Sequence, residues 1–243
     1  MNESIPQAFA TAVRTDPTHP LLTWYDDATG DRTELSGTTL DNWVAKTANL
    51  LVDGAGLGSG DTVAVLLPPH WQTAAVLLGC WAAGLAVDLG PDPQPVEALF
   101  TTAERADADA EDWHTGERYA TGLLPLAAPL RRLPSGYTDY VLEVRGHGDR
   151  FVPPQPVGPD DRAVAGPVEL SHLAACRAAA ERAAELGIVG GDRILVDAQA
   201  HPDPLDWLLA PLAVGASVVL CGNLDPTRTA GRAATEKVTV TLV

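Results

Sequence analysis

Gly54, Gly56, Gly58 and Gly60 are the first residues whose spacing invites chemistry, because glycine-rich turns let backbone amides approach a phosphate. The dinucleotide pattern Gly-x-Gly-x-x-Gly fails at its third place, where Ser59 stands. The order is also wrong, since these glycines leave a helical pattern and enter a strand, whereas a phosphate-binding turn leaves a strand and opens a helix. Gly187, Gly190 and Gly191 repeat that order. Ser171 and His172 are neighbours, but adjacent helical residues point about 100° apart, and no Gly-x-Ser-x-Gly elbow surrounds them, so Ser171 reads as a helix cap. His19, His70, His114, His147, His172 and His201 show neither His-x-x-x-His nor His-Glu-x-x-His, which predicts no zinc site. The acidic pairs Asp107 with Asp109 and Asp160 with Asp161 lie in polar stretches and read as solvated. Residue types alone therefore yield no catalytic, cofactor-binding or metal-ligating set.

The bulk properties narrow the field further. Sixteen Lys and Arg stand against 32 Asp and Glu, a net charge of −16, which opposes binding to nucleic-acid backbones and to anionic membranes. Cys80, Cys176 and Cys221 sit in apolar stretches without a Cys-x-x-Cys pair, as expected of reduced core residues in a cytoplasmic protein. The first ten residues carry no basic cluster ahead of an apolar run, so neither a signal nor a transit peptide is expected. No stretch reaches the ~18 apolar residues of a membrane span.

The elements that must position any site follow from periodicity. Leu40, Trp43, Val44, Ala48 and Leu51 recur at helical spacing between Thr38 and Gly54. A glycine turn then leads into a strand at 62–67, a core helix at 70–83 and a strand at 85–89, closed by the proline-rich segment 90–95. The middle, 104–159, is less regular, with loops at 133–136 and 152–159 and an edge strand expected at 137–145. A short strand at 162–165 and a helix at 170–186 come next. They are followed by a strand at 193–197, a helix at 203–214, a strand at 216–221, a helix at 226–235 and a strand at 238–243.

The second glycine-strand-helix-strand run copies the first at an offset of 131 residues: Gly60 meets Gly191, Asp61 meets Asp192, His70 meets His201 and Gly84 meets Gly215. Two similar, mainly parallel α/β halves are expected, about 1–135 and 136–243, in one domain.

In order and spacing these segments resemble the N-terminal domain of the adenylate-forming enzymes, the acyl-CoA synthetases and related AMP-binding ligases. The resemblance is carried by 43–51 with Gly56 to Val65, by Leu77 to Asp88, Val168 to His172, Gly191 to Leu195 and Leu208 to Leu220. It is most similar to a short actinobacterial group related to these ligases. The departures bear on function. Family members join the strand before their Val-x-Leu-Ser-His segment by a loop of the form Thr-Ser-Gly-Thr-Thr-Gly-x-Pro-Lys-Gly, which holds the ATP phosphates. Here only Gly166 and Pro167 separate Ala165 from Val168, Glu169, Leu170, Ser171 and His172. Hydrogen bonds to a charged group contribute about 1.5–3 kcal/mol each, so losing three costs roughly 5–9 kcal/mol, or about 10³ to 10⁶ in affinity.

With Val243 as its last residue the sequence does not reach the family's adenine-binding strand or its C-terminal domain with the catalytic lysine, so that domain is expected to be absent. The only lysines, Lys46 and Lys237, do not replace it. One family position persists: His201 stands where family members place a histidine at the acyl-pocket wall, although Pro204 holds the place of their following glycine. His70 occupies the equivalent point of the first repeat, which favours a structural role for both.

Two readings remain open. The first is a degenerate, non-catalytic adenylating domain kept as a binding or regulatory module. The second is an acyl-CoA synthetase-like component that handles a carboxylate or acyl group with parts supplied by a partner chain. For either, a small apolar carboxylate or acyl ligand and a homodimer or protein partner near the C-terminal face are expected, with no cofactor, metal, nucleic acid or membrane. The expected homodimer or protein partner rests on a terminal strand that lacks the cover it has in longer relatives.

Overall fold

A computed structural model of the chain describes residues 2–91, 95–108 and 115–243. Asp109, His114 and the middle of the proline-rich segment 90–95 lie outside them. The chain divides into two compact units that interleave along the sequence. The first comprises Met1–Asp41, Pro68–Ala74 and Leu173–Val243, and the second Asn42–Leu67 and Ala75–His172. The division expected near residue 135 thus falls inside the second unit. The chain crosses between the units inside helices at 41–42, 74–75 and 172–173 and in a loop at 67–68, and a linear cut cannot follow that.

The first unit opens with α1 (Ile5–Thr15), capped by the Ser4 hydroxyl. β1 (Pro20–Asp26) and β2 (Asp31–Ser36) follow as an antiparallel hairpin. α2 (Gly37–Asn49) winds its last turn as a π-helix over Leu50–Gly54. In the second unit come β3 (Thr62–Leu66), α3 (Trp71–Ala82) and β4 (Ala86–Asp88), then β5 (Val96–Thr102), α4 (Ala103–Ala108), β6 (Thr115–Thr121), β7 (Thr138–Asp139) and α5 (Tyr140–Val144). β8 (Arg162–Ala165) and β9 (Leu170–Ser171) precede α6 (His172–Glu185). β10 (Arg193–Asp197) leads through a π-helical turn (Leu205–Leu209) and α7 (Ala210–Val214) to β11 (Ser217–Gly222), α8 (Pro226–Glu236) and β12 (Val240–Leu242).

Each unit holds one sheet. The order is β12-β10-β11-β1-β2 in the first and β7-β6-β5-β3-β4-β8-β9 in the second, parallel except where β2 and β9 pair. The repeat is present down to its register. Thr62 pairs with Ala86 and Val63 with Val87, while Arg193 pairs with Ser217 and Ile194 with Val218, each set displaced by the same 131 residues. The entry turns match as well. Asp61 Oδ2 accepts the Gly58 amide at 2.8 Å and Asp192 Oδ2 accepts the Val189 amide at 2.7 Å. Gly60 and Gly191 both take positive φ, +92° and +85°, which only glycine adopts without strain. A third turn of the same kind precedes β8, where Asp161 Oδ2 accepts the Gly158 amide at 2.7 Å.

The two copies differ in their helices. α3 is regular, but Pro211 stands inside the second helix, lacks an amide and crowds the carbonyl four residues back, and the turn before it is π-wound.

The strand expected over 137–145 is corrected. Only Thr138 and Asp139 pair at the sheet edge, and Asp139 Oδ1 then accepts the amides of Val141 and Leu142, which starts α5 instead. The helix expected from Leu170 begins at His172, because Leu170 and Ser171 return along β8. β1, β2, β5 and β6 had no counterpart in the sequence reading. Their apolar alternation is broken by Thr, Asp and Arg, and pairing with neighbouring strands makes up for weak local patterning.

α8 is held on the first sheet by buried charge. Arg232 donates to Asp27, lies 4.3 Å above the Tyr25 ring and reaches Cys221 Sγ at 3.3 Å. Glu236 receives Tyr25 Oη at 2.5 Å, Arg193 at 2.5 Å and Arg32 at 3.0 Å. Burial pushes the Glu236 carboxyl up, but these three donors outweigh it and bring it down to about 2.

Candidate functional site

His201 stands beyond the carboxyl end of β10, in the turn that leads to the π-helical segment. The carboxyl ends of parallel strands are where α/β sheets place ligands. Its backbone amide donates to the Asp197 carbonyl at 3.0 Å, and its Nδ1 lies 2.8 Å from Asp206 Oδ2. Asp206 is gripped on both oxygens by Arg182 of α6, from Nε at 2.7 Å and Nη2 at 3.1 Å. The Arg182 bonds, more than the weaker opposing burial, hold the Asp206 carboxyl below the usual range, and the His201 bond adds to this. Asp206 fixes the orientation of the His201 ring through Nδ1. The other ring nitrogen, Nε2, is turned away from Asp206 by that bond. Asp206 and Arg182 were not read from sequence, and with Arg182 24 residues from Asp206 only the fold joins them.

His70, its counterpart in the first repeat, also lies at a strand-to-helix turn but is buried. Its Nδ1 accepts the Gln72 amide at the start of α3 at 3.1 Å, and its ring meets Trp24 edge-on at 4.5 Å. Burial pushes its pKa down to about 3, against a smaller opposing effect of Asp26. His70 is a neutral cap. Ser171 and His172 do not form a pair for nucleophilic chemistry, because His172 is wholly buried and burial brings it down to about 4. Lys46 donates to the His147 carbonyl at 2.6 Å, and Lys237 sits in a left-handed turn after α8. Cys80, Cys176 and Cys221 are buried free thiols.

The segment that the resemblance matches to a phosphate loop lies between β8 and β9. Four residues, 166–169, close an antiparallel hairpin there. Pro167 has no amide to offer, and Glu169 pairs with Arg162 at 3.2 Å. Gly166 turns at φ +106° directly against the Asp88 carboxylate, where a Cβ would stand 3.0 Å from Oδ1. Asp88, 3% exposed at the end of β4, accepts the Gly90 amide at 2.8 Å. The buried Asp88 carboxylate opposes an anion at this turn.

The family model described as "AMP-binding enzyme" matches residues 9–108. A Mycobacterium tuberculosis protein described as "TIGR03089 family protein" is 47% identical over 233 residues, covering 93% of each chain. The chain belongs to the TIGR03089 family. In fold, this family member is similar to the solved structure of Brucella canis acyl-CoA synthetase, with a TM-score of 0.73 and 20% identity over 96% of this chain and 46% of that one. It is likewise similar to Mycobacterium tuberculosis fatty acyl CoA synthetase, with a TM-score of 0.68 and 15% identity over 98% and 49%. The chain spans about half the length of these two solved synthetases. It carries an adenylate-forming-enzyme-like domain, and among the described residues no helix is long and apolar enough to cross a membrane.

Proposed function

We propose that this domain does not adenylate and serves as a binding module. One observation carries the reading: the β8–β9 hairpin, four residues long, turns on the buried Asp88 carboxylate where the resemblance puts a glycine- and threonine-rich phosphate loop. A triphosphate brought there meets that carboxylate in a low-dielectric setting without the amides and lysine that would offset it. The His201 ring, held by Asp206 and Arg182, remains at the end of the other sheet to hydrogen-bond a bound molecule. The test is pyrophosphate exchange into ATP in the presence of a panel of aliphatic and aromatic acids. No acid-dependent exchange is expected from the purified chain. Acid-dependent exchange that stays with the chain through successive purification steps would instead favour a working adenylating site.

A further inference from the structure

Within the first unit, α8 covers the face of the sheet that carries Leu195, Val219 and Cys221, all wholly buried. The helix does so almost without apolar burial, because its one buried residue is Glu236. Its hold on the sheet comes from charge, through Arg232 to Asp27 and the Tyr25 ring, and through Glu236 to Tyr25, Arg193 and Arg32. Buried ion pairs lose to desolvation much of what they gain in attraction. Segments with few buried apolar contacts open at a lower free energy than the whole molecule.

α8 is also weak in itself. Eleven residues are too few to hold a helix in water alone, Thr227, Thr229 and Thr235 are β-branched, and Gly231 stands near its middle. A Cβ at Gly231 would meet nothing within 4 Å, so packing does not require the glycine, which weakens the helix relative to alanine. Asn223 and Lys237, non-glycine residues at φ +47° and +55°, bracket the segment and place backbone strain at the two points that melting would release. We propose that α8 is a strap, which melts between Asn223 and Lys237 while both sheets stay folded and so bares the apolar strip of Leu195, Val219 and Cys221. The strap belongs to the first unit and does not depend on whether the β8–β9 hairpin excludes ATP.

Cys221 reports the opening, since its Sγ lies 3.3 Å from Arg232 Nη1, while Cys80, wholly buried in α3, reports unfolding of the second unit. The full chain is treated with iodoacetamide between 0 and 1 M urea, and the modified thiols are located by peptide mapping. Cys221 should react at least about tenfold faster than Cys80. Its rate should change less than about twofold up to 1 M urea, where the rate at Cys80 rises about tenfold, because urea acts in proportion to the surface exposed. Gly231→Ala should slow the reaction of Cys221 about fivefold. Glu236→Gln, which loosens the bonds to Tyr25, Arg193 and Arg32, should hasten it about fivefold or more. Should Glu236→Gln fail to fold, Gly231→Ala decides alone. A urea slope at Cys221 as steep as that at Cys80, or a Gly231→Ala rate equal to that of wild type, would overturn the proposal.

Discussion

At the scale of single residues, the two histidines related by the repeat have diverged in environment. His201 makes one side-chain hydrogen bond and keeps part of its ring in solvent, so His201→Ala should lower stability by about 1 kcal/mol or less, whereas Asp206→Ala, which strips both His201 and Arg182 of their acceptor, should cost about 1–3 kcal/mol in urea melts. Equal losses would mean that the ring, not the carboxylate, organises the turn. His70 makes a different prediction, in pH. Its folded pKa of about 3 lies below the ~6.5 of an unfolded histidine, so below pH ~6.5 the unfolded chain takes up a proton that the folded chain refuses. Its contribution is complete above that pH and is lost as pH falls toward 3. His70→Asn keeps an acceptor for the Gln72 amide and removes the titration, so its stability should decline less than that of wild type between pH 6.5 and 5. Parallel profiles would show that His70 is not the neutral group described here.

At the scale of elements, the repeat predicts equivalent costs at equivalent turns. A Cβ meets nothing within 4 Å at either Gly60 or Gly191, so only the positive φ resists substitution. Gly60→Ala and Gly191→Ala should each cost about 1–2 kcal/mol and agree with one another. A twofold or larger disparity in chemical denaturation would argue that the two turns differ in what they support. α8 supplies another test. Arg232 and Asp27 have side chains only 7% and 5% exposed, so Arg232→Ala leaves Asp27 with only the Asp225 amide and the more exposed Arg228 and should cost about 1–3 kcal/mol. The Asp27→Ala, Arg232→Ala double variant should lose less than the sum of the single losses. Additive losses would mean that the ion pair does not pin the helix.

The glycine turns, the core helix around Trp71 to Ala82 and the strands on either side were legible in the sequence because burial on all sides leaves continuous apolar runs bounded by glycine. β1, β2, β5 and β6 were not, since partners brought by the fold set their pairing. Of the candidate site, the position of His201 and the shortened β8–β9 connection could be read directly. Arg182, Asp206 and Asp88 could not, as an isolated acid or arginine looks the same in sequence whether it is solvated or locked in a turn.

At the scale of the whole molecule, the fold is similar to that of acyl-CoA synthetases, and the β8–β9 hairpin turns on the buried Asp88 carboxylate. The 47% identical mycobacterial relative has 93% of its length covered by this chain, against about half for the two solved synthetases. A fold shared at 15–20% identity constrains the sheets and their crossovers, and function is decided by the groups placed at their ends. Here those groups are a buried carboxylate beneath a four-residue hairpin and an imidazole steadied by an arginine-bound aspartate. The central claim, that this arrangement does not hold ATP, is tested most directly by isothermal calorimetry of the full chain with magnesium-ATP at millimolar concentration. The predicted result is no saturable heat beyond dilution, and a saturable wild-type isotherm that an Asp88→Asn variant leaves unchanged would contradict it.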